Sequence, residues 1–262
     1  MNKKERQQRI IELLQSREEV YVSTICNKFK VVPMTVRRDL SELEKEGILI
    51  RTHGGAILKE KRIYDSQQPF TKRIKVHRDS KEKLALRALD YIKANDRICI
   101  LSGSTMEILC QEIPEDLPLT IVTNSINAAH HFAFYRNVNL IVAGGELRAN
   151  SFALVGSLTR ETLAKTHIDK AFLGVNGVDE EGNIYSSSVV ECDLIEELCQ
   201  TDAQLFVLAD ESKLFHSDLV PISLCKPYTL ITTAKFKQKQ RNAFQKKGIS
   251  IILAGNEADN PV

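Results

Sequence analysis

The sequence lacks the segments that would place the protein in a membrane or in a secretory pathway. No stretch approaches the roughly 20 consecutive apolar residues that a membrane helix needs. The first residues, MNKKERQQRIIELL, contain no apolar run of signal-peptide length before charged residues resume. We therefore expect a cytoplasmic protein that has no membrane partner.

The sequence also lacks the paired cysteines of a disulfide framework or a zinc site. Its six cysteines are scattered and form no CxxC motif: Cys26, Cys99, Cys110, Cys192, Cys199 and Cys225. In a chain of 262 residues without a signal segment, this spacing favours buried thiols over disulfides or zinc ligands. We expect no metal and no cofactor. No repeat of fixed period and no low-complexity segment is present.

Both halves of the chain contain many basic and many acidic residues, but the two kinds are unevenly distributed. Residues 1–83 contain 20 Lys and Arg against 12 Asp and Glu, whereas residues 84–262 contain 16 against 22. A net charge of +2 thus combines a basic front with an acidic rear. This asymmetry indicates that only the front of the chain contacts a polyanion.

The first 58 residues predict three helices followed by a β-hairpin. Apolar residues recur at helical spacing over residues 4–15 and 22–29, and Pro33 suits the first turn of a third helix. The apolar positions of the three stripes are Ile10, Leu13, Leu14, Val22, Ile25, Cys26, Phe29, Val36, Leu40 and Leu43. After Gly47, ILIRTHGGAIL alternates around a Gly-Gly turn, which predicts a hairpin. This order describes a winged helix-turn-helix.

The third helix has an exposed face that can contact DNA. At about 100° per residue, Met34 and Arg38 lie opposite the apolar stripe of that helix. The N-terminal part of a helix in the major groove makes base contacts, and arginine either reads a guanine or holds a phosphate. The helix and hairpin together give the predicted DNA-binding residues Met34, Thr35, Arg37, Arg38, Ser41, Arg51, Thr52, His53 and Gly54. The alternative is an ordinary solvated face on which Arg38 pairs with Glu42.

The stretches MTVRRDLSELEKEG and RTHGGA resemble the N-terminal domain of the DeoR (DeoR/GlpR) family of bacterial transcriptional regulators. The resemblance implies that Met34, Thr35, Arg37 and Arg38 face DNA and that Asp39 orders nearby arginines. Two positions depart from the family pattern. Lys30 stands where the family usually has glycine, and Val32 stands where it has serine or threonine. Loss of that N-cap costs about 0.5–2 kcal/mol.

The pattern changes from about Leu84, where short apolar runs alternate with helical stretches. The runs are RICILSG, LTIVTNS, VNLIVAGG, KAFLGVNG, QLFVLAD, YTLITTA and ISIILAG. The helical stretches include residues 105–112, 126–136, 156–167 and 189–200. Nearly continuous apolar strands between helices predict a mostly parallel sheet covered on both faces, so we expect an α/β domain.

Polar loops follow the predicted strands. They are Ser102–Thr105, Thr123–Ser125, Gly144–Leu147, Gly174–Val178 and Ala209–Lys213. In open α/β sheets a ligand binds outside the carboxyl ends of the strands, and SGST at a helix start can present N–H groups and hydroxyls to a phosphate. The alternative is a set of ordinary turns and caps. Lys213 either holds an anion or neutralises Asp210 and Glu211.

The second half, including GGELRANSFALVGSLTRETLAKTHIDKAFLGVNGVDEEGNIYSSS and LADESK, resembles the DeoR sensor domain. That domain is related to ribose-5-phosphate isomerase A and coenzyme A transferases and usually binds a phosphorylated sugar. The resemblance implies the effector-binding residues Ser102, Gly103, Ser104, Thr105, Thr123, Asn124, Ser125, Gly144, Gly145, Arg148 and Lys213. Three positions lack the ionisable group usual in the family: Leu101, Ile195 and Thr233.

We therefore predict a DNA-binding domain over residues 1–58, a basic linker over 59–83 and an α/β effector-sensing and oligomerisation domain over 84–262. The expected function is a homo-oligomeric regulator, dimer or tetramer, that represses a carbohydrate or related metabolic operon. A phosphorylated metabolite releases it from the operator DNA. One alternative is a sugar-phosphate isomerase-like enzyme with Glu146, Glu191 or Asp210 as base. The other is a regulator whose sensor domain no longer binds a sugar phosphate.

Overall fold

The chain forms two compact units, Met1–Gln68 and Pro69–Val262, in a computed structural model. The structure describes residues 3–16, 20–46, 48–52, 54–58 and 70–255. No helix within these ranges is long and apolar enough to cross a membrane. Each unit has its own buried core.

The first unit is a winged helix-turn-helix. Its elements are α1 (Lys3–Ser16), β1 (Val20–Tyr21), α2 (Val22–Phe29), α3 (Pro33–Lys45), β2 (Leu49–Arg51) and β3 (Gly55–Leu58). The three strands form an antiparallel sheet in the order β1-β3-β2. The predicted apolar stripes meet in one cluster, where Ile10, Leu14, Ile25, Val36 and Leu40 are almost fully buried. This burial holds the three helices and the hairpin together.

The second unit is an α/β domain. Its helices are α4 (Phe70–Arg73), α5 (Arg78–Leu89), α6 (Ser104–Glu112), α7 (Ile126–Phe132), α8 (Ser157–Lys165), α9 (Val189–Gln200) and α10 (Gln238–Lys246). Its strands are β4 (Arg97–Ile100), β5 (Leu119–Thr123), β6 (Val138–Val142), β7 (Glu146–Arg148), β8 (Ala153–Val155), β9 (Lys170–Gly174), β10 (Gly177–Val178), β11 (Ile184–Ser186), β12 (Gln204–Ala209), β13 (Val220–Ile222), β14 (Thr229–Thr232) and β15 (Ser250–Leu253).

All seven predicted strands lie in one parallel sheet, in the order β15-β14-β12-β9-β4-β5-β6. The chain runs from β4 outward to β5 and β6, but from β9 it runs the other way to β12, β14 and β15. The strand order therefore reverses between β4 and β9. An open parallel sheet forms a crevice at such a reversal, outside the carboxyl ends of its strands. The antiparallel pair β7-β8 and the three-stranded sheet β10-β11-β13 are separate and were not predicted.

Both faces of the sheet are covered, which explains the nearly continuous apolar runs. Phe172 and Phe206 stack with ring centroids 5.0 Å apart on the face that packs against α5, α6 and α7. Leu173 and Val207, one residue along each strand, point to the opposite face and pack with residues of α8, α9 and α10. The predicted fold class, a winged helix-turn-helix followed by a mostly parallel α/β domain, is confirmed.

The predicted linker, residues 59–83, differs from the structure in its second part. Residues 59–69 lie outside the described ranges, but residues 70–83 belong to the second unit and are largely helical. Phe70 and Lys81 are buried there. The helix α5 buries one side only, so its exposed basic residues give the segment the composition of a linker. The second unit therefore begins before residue 84, because the buried side of α5 packs in the core of that unit.

Candidate DNA-binding surface and effector cleft

The helix α3 presents the predicted DNA-binding side chains because its apolar stripe fixes its rotation. Val36 and Leu40 are buried, whereas Met34 is 72% exposed and Arg37 is exposed on the opposite side. Val32 precedes the helix in an extended conformation and makes no side-chain cap, and Pro33 occupies the first turn. Met34, Thr35, Arg37 and Arg38 therefore lie together near the start of α3.

A buried ion pair anchors α3 to α1. The carboxylate of Asp39, only 2% exposed, accepts hydrogen bonds from Arg6 Nε at 2.5 Å and Arg6 Nη2 at 3.0 Å. Hydrogen bonding to Asp39 raises the pKa of Arg6, against a smaller opposing effect of burial. The resemblance implied that Asp39 orders nearby arginines. Its bidentate partner is an arginine 33 residues away, so Asp39 positions the whole helix.

The exposed arginine Arg38 makes the surface pair with Glu42 that the alternative interpretation predicted. Its Nε lies 3.7 Å from the Glu42 carboxylate, yet the Arg38 side chain remains 81% exposed. An exposed pair at this spacing contributes little energy, since solvent screens it. The contact therefore leaves Arg38 available to a phosphate or a base.

The hairpin is joined to α3 by another predicted residue. Arg51 Nη1 donates a hydrogen bond of 2.7 Å to Ser41 Oγ, and the Arg51 backbone N–H donates to Glu44 at 3.0 Å. The carbonyl of Gly54 accepts from the Val22 N–H at 2.7 Å, which ties the turn to the start of α2. Thr52 also lies in this turn, and His53 lies outside the described residues. The helix α3 and the hairpin β2-β3, which is the wing, thus form one surface.

The predicted phosphate loop lies beside the reversal of the sheet. It follows β4, and α6 begins at Ser104 after Gly103, with no side chain capping its first turn. The backbone N–H of Ser102 donates to Asn124 Oδ1 at 2.8 Å, which joins the loops that follow β4 and β5. Ser102, Gly103, Ser104 and Thr105 therefore surround a helix N-terminus at the crevice, where an anion is favoured.

The side chains at the carboxyl end of β5 and just after it hydrogen-bond backbone groups of neighbouring loops. Thr123 is buried and donates to the Ile100 carbonyl at 2.6 Å. Asn124, also buried, donates to the Leu154 carbonyl at 2.9 Å, and Ser125 caps α7 by accepting from the Ala128 N–H at 3.2 Å. These hydrogen bonds belong to the fold. They hold the loops in place, as the turn-and-cap alternative predicted.

The two glycines after β6 adjoin α8. The Gly144 carbonyl accepts from Thr159 Oγ1 at 2.6 Å. Gly145 has a φ of +146°, and a Cβ there would lie 2.3 Å from the Val155 carbonyl oxygen. Only glycine fits this close approach. The loop is therefore fixed by backbone packing, and it positions the hairpin β7-β8.

Arg148, at the end of β7, reaches the start of α9. Its Nη1 donates to Ser188 Oγ and, at 3.0 Å, to Glu191 Oε1. Sequence reasoning placed Arg148 in the cleft and Glu191 among possible catalytic bases, but no local pattern indicated that they meet. The pairing gives Glu191 a structural partner and brings the serine-rich loop before α9 to the same edge of the sheet.

An acidic residue at the end of β12 faces several cations. Asp210 is 2% exposed and accepts hydrogen bonds from the Ser212 backbone N–H at 2.9 Å and from Ser212 Oγ at 2.5 Å. Burial acts to raise the pKa of Asp210, but the charge of Lys213, the Ser212 hydrogen bonds and the charges of His77 and Lys81 together lower it. Asp210 is therefore ionised at neutral pH. His77 and Lys81 were missed because their segment was assigned to the linker.

The first residues of the second unit form a bridging segment, residues 70–82, along this edge. Phe70 packs edge-on against Phe152 with centroids 5.7 Å apart, next to the hairpin β7-β8. At the other end, Ser80 Oγ donates to Glu211 at 3.1 Å, beyond β12. Lys81 Nζ donates to backbone carbonyls of the segment itself, to Val76 at 2.7 Å. The bridging segment thus contacts loops on both sides of the crevice.

Two family models match the chain. The model of the DeoR C terminal sensor domain matches residues 76–235, and that of the DeoR-like helix-turn-helix domain matches residues 6–62. The chain belongs to the DeoR family. The resemblance in both halves is thereby confirmed, and with it the assignment to DNA-binding transcriptional regulators.

This DeoR-family chain is similar to proteins of known name over different shares of its length. The transcriptional repressor GlcR of Bacillus subtilis is 33% identical over 254 residues, 97% of this chain and 97% of its own. The glycerol-3-phosphate regulon repressor of Escherichia coli is 27% identical and covers 84% of this chain and 86% of its own. Ribose 5-phosphate isomerase A of Methanocaldococcus jannaschii, a solved structure, covers 52% of this chain and 54% of its own at 22% identity, with a TM-score of 0.39. This last overlap is too small to carry a functional inference.

The three departures from the DeoR sensor pattern have different structural outcomes. Leu101 and Ile195, at two positions where the resemblance implied an ionisable group, are both buried in the same apolar cluster. Thr233 instead hydrogen-bonds Glu211, and the Glu211 N–H donates back to Thr233 Oγ1 at 3.2 Å. None of these three side chains therefore supplies a charge at this edge of the sheet.

Proposed function

We propose that the protein represses a carbohydrate or related metabolic operon by binding operator DNA through α3 and the wing. The observation that carries this proposal is the cluster of exposed Met34, Arg37 and Arg38 on a helix held by the Arg6–Asp39 pair. GlcR, a relative over nearly the whole length, is named a repressor. Operator binding places the protein in the cytoplasm.

We propose further that a small phosphorylated metabolite, in the first place a sugar phosphate, binds the crevice between β4 and β9. The uncapped start of α6 offers backbone N–H groups at Ser104 and Thr105, and Lys213 lies along the same edge. Both features favour an anion. Another relative is named after the glycerol-3-phosphate regulon, which supports a phosphorylated ligand class.

The bridging segment lies where a bound ligand would change its contacts. It begins at residue 70, in the first part of the second unit, and its far end contacts the loop after β12 through Ser80 and Glu211. A ligand that contacts Lys213 or the α6 start alters the partners of this segment. We therefore propose that occupancy of the crevice changes the contacts that the bridging segment makes within the second unit.

A regulator whose sensor domain no longer binds a sugar phosphate is the second candidate. The buried apolar side chains of Leu101 and Ile195 favour it, because they remove two groups that would orient ligand hydroxyls. An isomerase-like enzyme is the weaker alternative. Two of its three candidate bases are engaged, Glu191 with Arg148 and Asp210 with Ser212. We therefore propose that the protein is not an enzyme.

A thermal-shift screen with triose, pentose and hexose phosphates tests ligand binding, with inorganic phosphate as reference. At a hundredfold excess over the dissociation constant, a ligand stabilises the native state by about 2.7 kcal/mol. We expect Ser104→Ala and Lys213→Ala to reduce the shift, since each removes a donor to the anion. Ser157→Ala is the matched control, because Ser157 also starts a helix after a glycine without a side-chain cap.

The same compounds are then added to a gel shift with the upstream promoter fragment. A compound that raises the melting temperature and releases DNA supports the proposal. If no compound does either while DNA binding persists, the sensor domain does not bind sugar phosphates. Conversion of ribose 5-phosphate to its ketose would establish the enzyme instead.

A further inference from the structure

Two cysteines lie in contact far from the crevice. Cys199 belongs to the last turn of α9, and Cys225 lies in the loop between β13 and β14. Their Sγ atoms are 2.8 Å apart, whereas a disulfide bond is about 2.05 Å long. The pair is 26 residues apart in sequence and forms no CxxC motif, so nothing local indicated it.

Backbone groups hold the two sulfurs against each other. The N–H of Cys225 donates to Cys199 Sγ at 2.8 Å, and Cys225 Sγ donates to the Cys199 carbonyl at 2.9 Å. Lys226 Nζ also donates to the Thr201 carbonyl, which ties the loop to the residue after α9. Only a small movement of this loop is therefore needed for the two sulfur atoms to form a bond.

The two thiols differ in access. Cys199 is 2% exposed, whereas Cys225 is exposed. Cys225 also lines a cavity of about 380 Å³, together with Lys226, Tyr228 and Ile249. Tyr228 and Ile249 directly precede β14 and β15, so the cavity is at the amino-terminal edge of the parallel sheet, opposite the crevice. A small oxidant can thus reach Cys225 without entering the proposed ligand site.

A metal site does not account for this pair. Within the described ranges, no group of three or more His, Cys, Asp or Glu residues is arranged to hold a metal ion. In reducing compartments, a close pair of thiols with one exposed member is typical of a redox-sensitive site rather than a permanent disulfide.

We propose that Cys199 and Cys225 form a reversible disulfide when the protein meets a hydroperoxide. The Cys225 thiolate attacks the peroxide O–O bond and becomes a sulfenic acid, and hydroxide or alkoxide leaves. Cys199 Sγ then attacks Cys225 Sγ, the S–O bond breaks, and the sulfenic oxygen leaves as water with the Cys199 proton. The two sulfurs lose two electrons in all, and the peroxide gains them.

The division of roles follows from burial. Burial, followed by the hydrogen bond with Cys225, raises the pKa of Cys199. The buried thiol therefore stays protonated at neutral pH and does not compete for the first step. Cys225 reacts first because it is accessible, and Cys199 resolves the sulfenic acid before it is oxidised further.

Mass spectrometry of the full-length protein tests the proposal. The reduced chain is treated with hydrogen peroxide, and its remaining thiols are alkylated under denaturing conditions. We expect the number of free thiols to fall from six to four, with a cross-linked peptide two hydrogens lighter than its parts. Cleavage after glutamate separates Cys199 from Cys192, because Glu196 and Glu197 lie between them. Dithiothreitol should restore six thiols.

Variants assign the two steps. Cys225→Ser should abolish the cross-link, and Cys199→Ser should leave a sulfenic acid on Cys225 that dimedone captures. Cys26→Ser, in the other unit, is the control and should still lose two thiols. If the wild type shows only sulfinic acid on Cys225, or retains six thiols at peroxide concentrations that oxidise free glutathione, the proposal is wrong.

Discussion

At the scale of single residues, the DNA-binding surface depends on the contrast between two charged positions of α3. Asp39 is buried and fully paired with Arg6, whereas Arg38 is exposed and only loosely paired with Glu42. Removal of a buried charge partner destabilises the domain, but removal of an exposed arginine does not. Mutations at Arg38 therefore report on DNA binding alone.

We predict that Arg38→Ala weakens specific DNA binding by about 1–3 kcal/mol and leaves the fold intact. The cause is the loss of a guanidinium that lies opposite the buried stripe of α3. Arg9→Ala is the control, since it removes the same charge from an exposed site on α1. Gel-shift titration and circular dichroism are the measurements. Equal affinities for Arg38→Ala and the wild type would remove Arg38 from the interface.

A second residue-scale prediction concerns Asp169, just before β9. Two side-chain hydrogen bonds from Arg97, at 2.6 and 3.0 Å, lower its pKa to about 2, against a smaller opposing effect of burial. The folded pKa is below the unfolded value of about 3.9, so the pair stabilises the fold above pH 4. That stabilisation is lost as the pH falls from about 4 to 2. Both side chains are partly exposed, so it amounts to under about 1 kcal/mol.

Carbon-13 NMR of the Asp169 carboxyl group provides the measurement. The signal should remain that of a carboxylate down to about pH 3, and Arg97→Ala should return the pKa toward about 3.9. Glu161→Gln removes an unrelated surface pair with Lys165 and should leave the Asp169 titration unchanged. A wild-type midpoint near 4 would contradict the prediction.

At the scale of elements, α3 begins and α2 ends with residues that are unfavourable for those positions. Lys30 adopts the left-handed conformation, with a φ of 54°, where the turn requires a positive φ. Glycine would adopt it without strain. Val32 occupies the N-cap of α3 with extended dihedral angles but has no oxygen to accept an N–H. Both departures from the family pattern therefore reduce the stability of the turn.

We predict that Val32→Ser stabilises the protein by about 0.5–2 kcal/mol, because a serine hydroxyl at this position can accept an N–H of the first turn. Val32→Ala is the control, since it shortens the side chain without providing an acceptor. Denaturant titration measures the free energy of unfolding of both variants. Equal stabilisation by serine and alanine would show that the exposed valine, rather than the missing cap, was responsible.

At the scale of the whole molecule, one recognition helix reads few base pairs, so specific binding requires a second half-site. Residues 1–83 are also basic and residues 84–262 acidic, which favours contact with DNA through the front of the chain. We therefore predict a homo-oligomer, a dimer or a tetramer. Sedimentation at micromolar concentration should show a species of at least twice 29.5 kDa. A single 29.5 kDa species that still binds a two-fold symmetric operator would contradict this.

The sequence by itself determined the features that arise from local patterns. Nearly continuous apolar runs predicted all seven strands of the parallel sheet, and the stripe Val36, Leu40 and Leu43 determined which face of α3 is exposed. These predictions succeed because the side-chain period of a helix or strand is set by backbone geometry within a few residues. The hairpin of β2 and β3 was likewise predicted from a local pattern, the alternation of ILIRTHGGAIL around its two glycines.

Only the tertiary structure decided which distant residues meet. Arg6 pairs with Asp39, Arg148 with Glu191, and Cys199 with Cys225. The two residues of each pair are at least 26 positions apart, and the path of the chain brings them together. Hydrophobic periodicity describes only neighbouring residues and cannot predict such contacts. The bridging segment was likewise mistaken for a linker. Its composition is polar, and its role results from the few side chains, such as Phe70, that the fold buries.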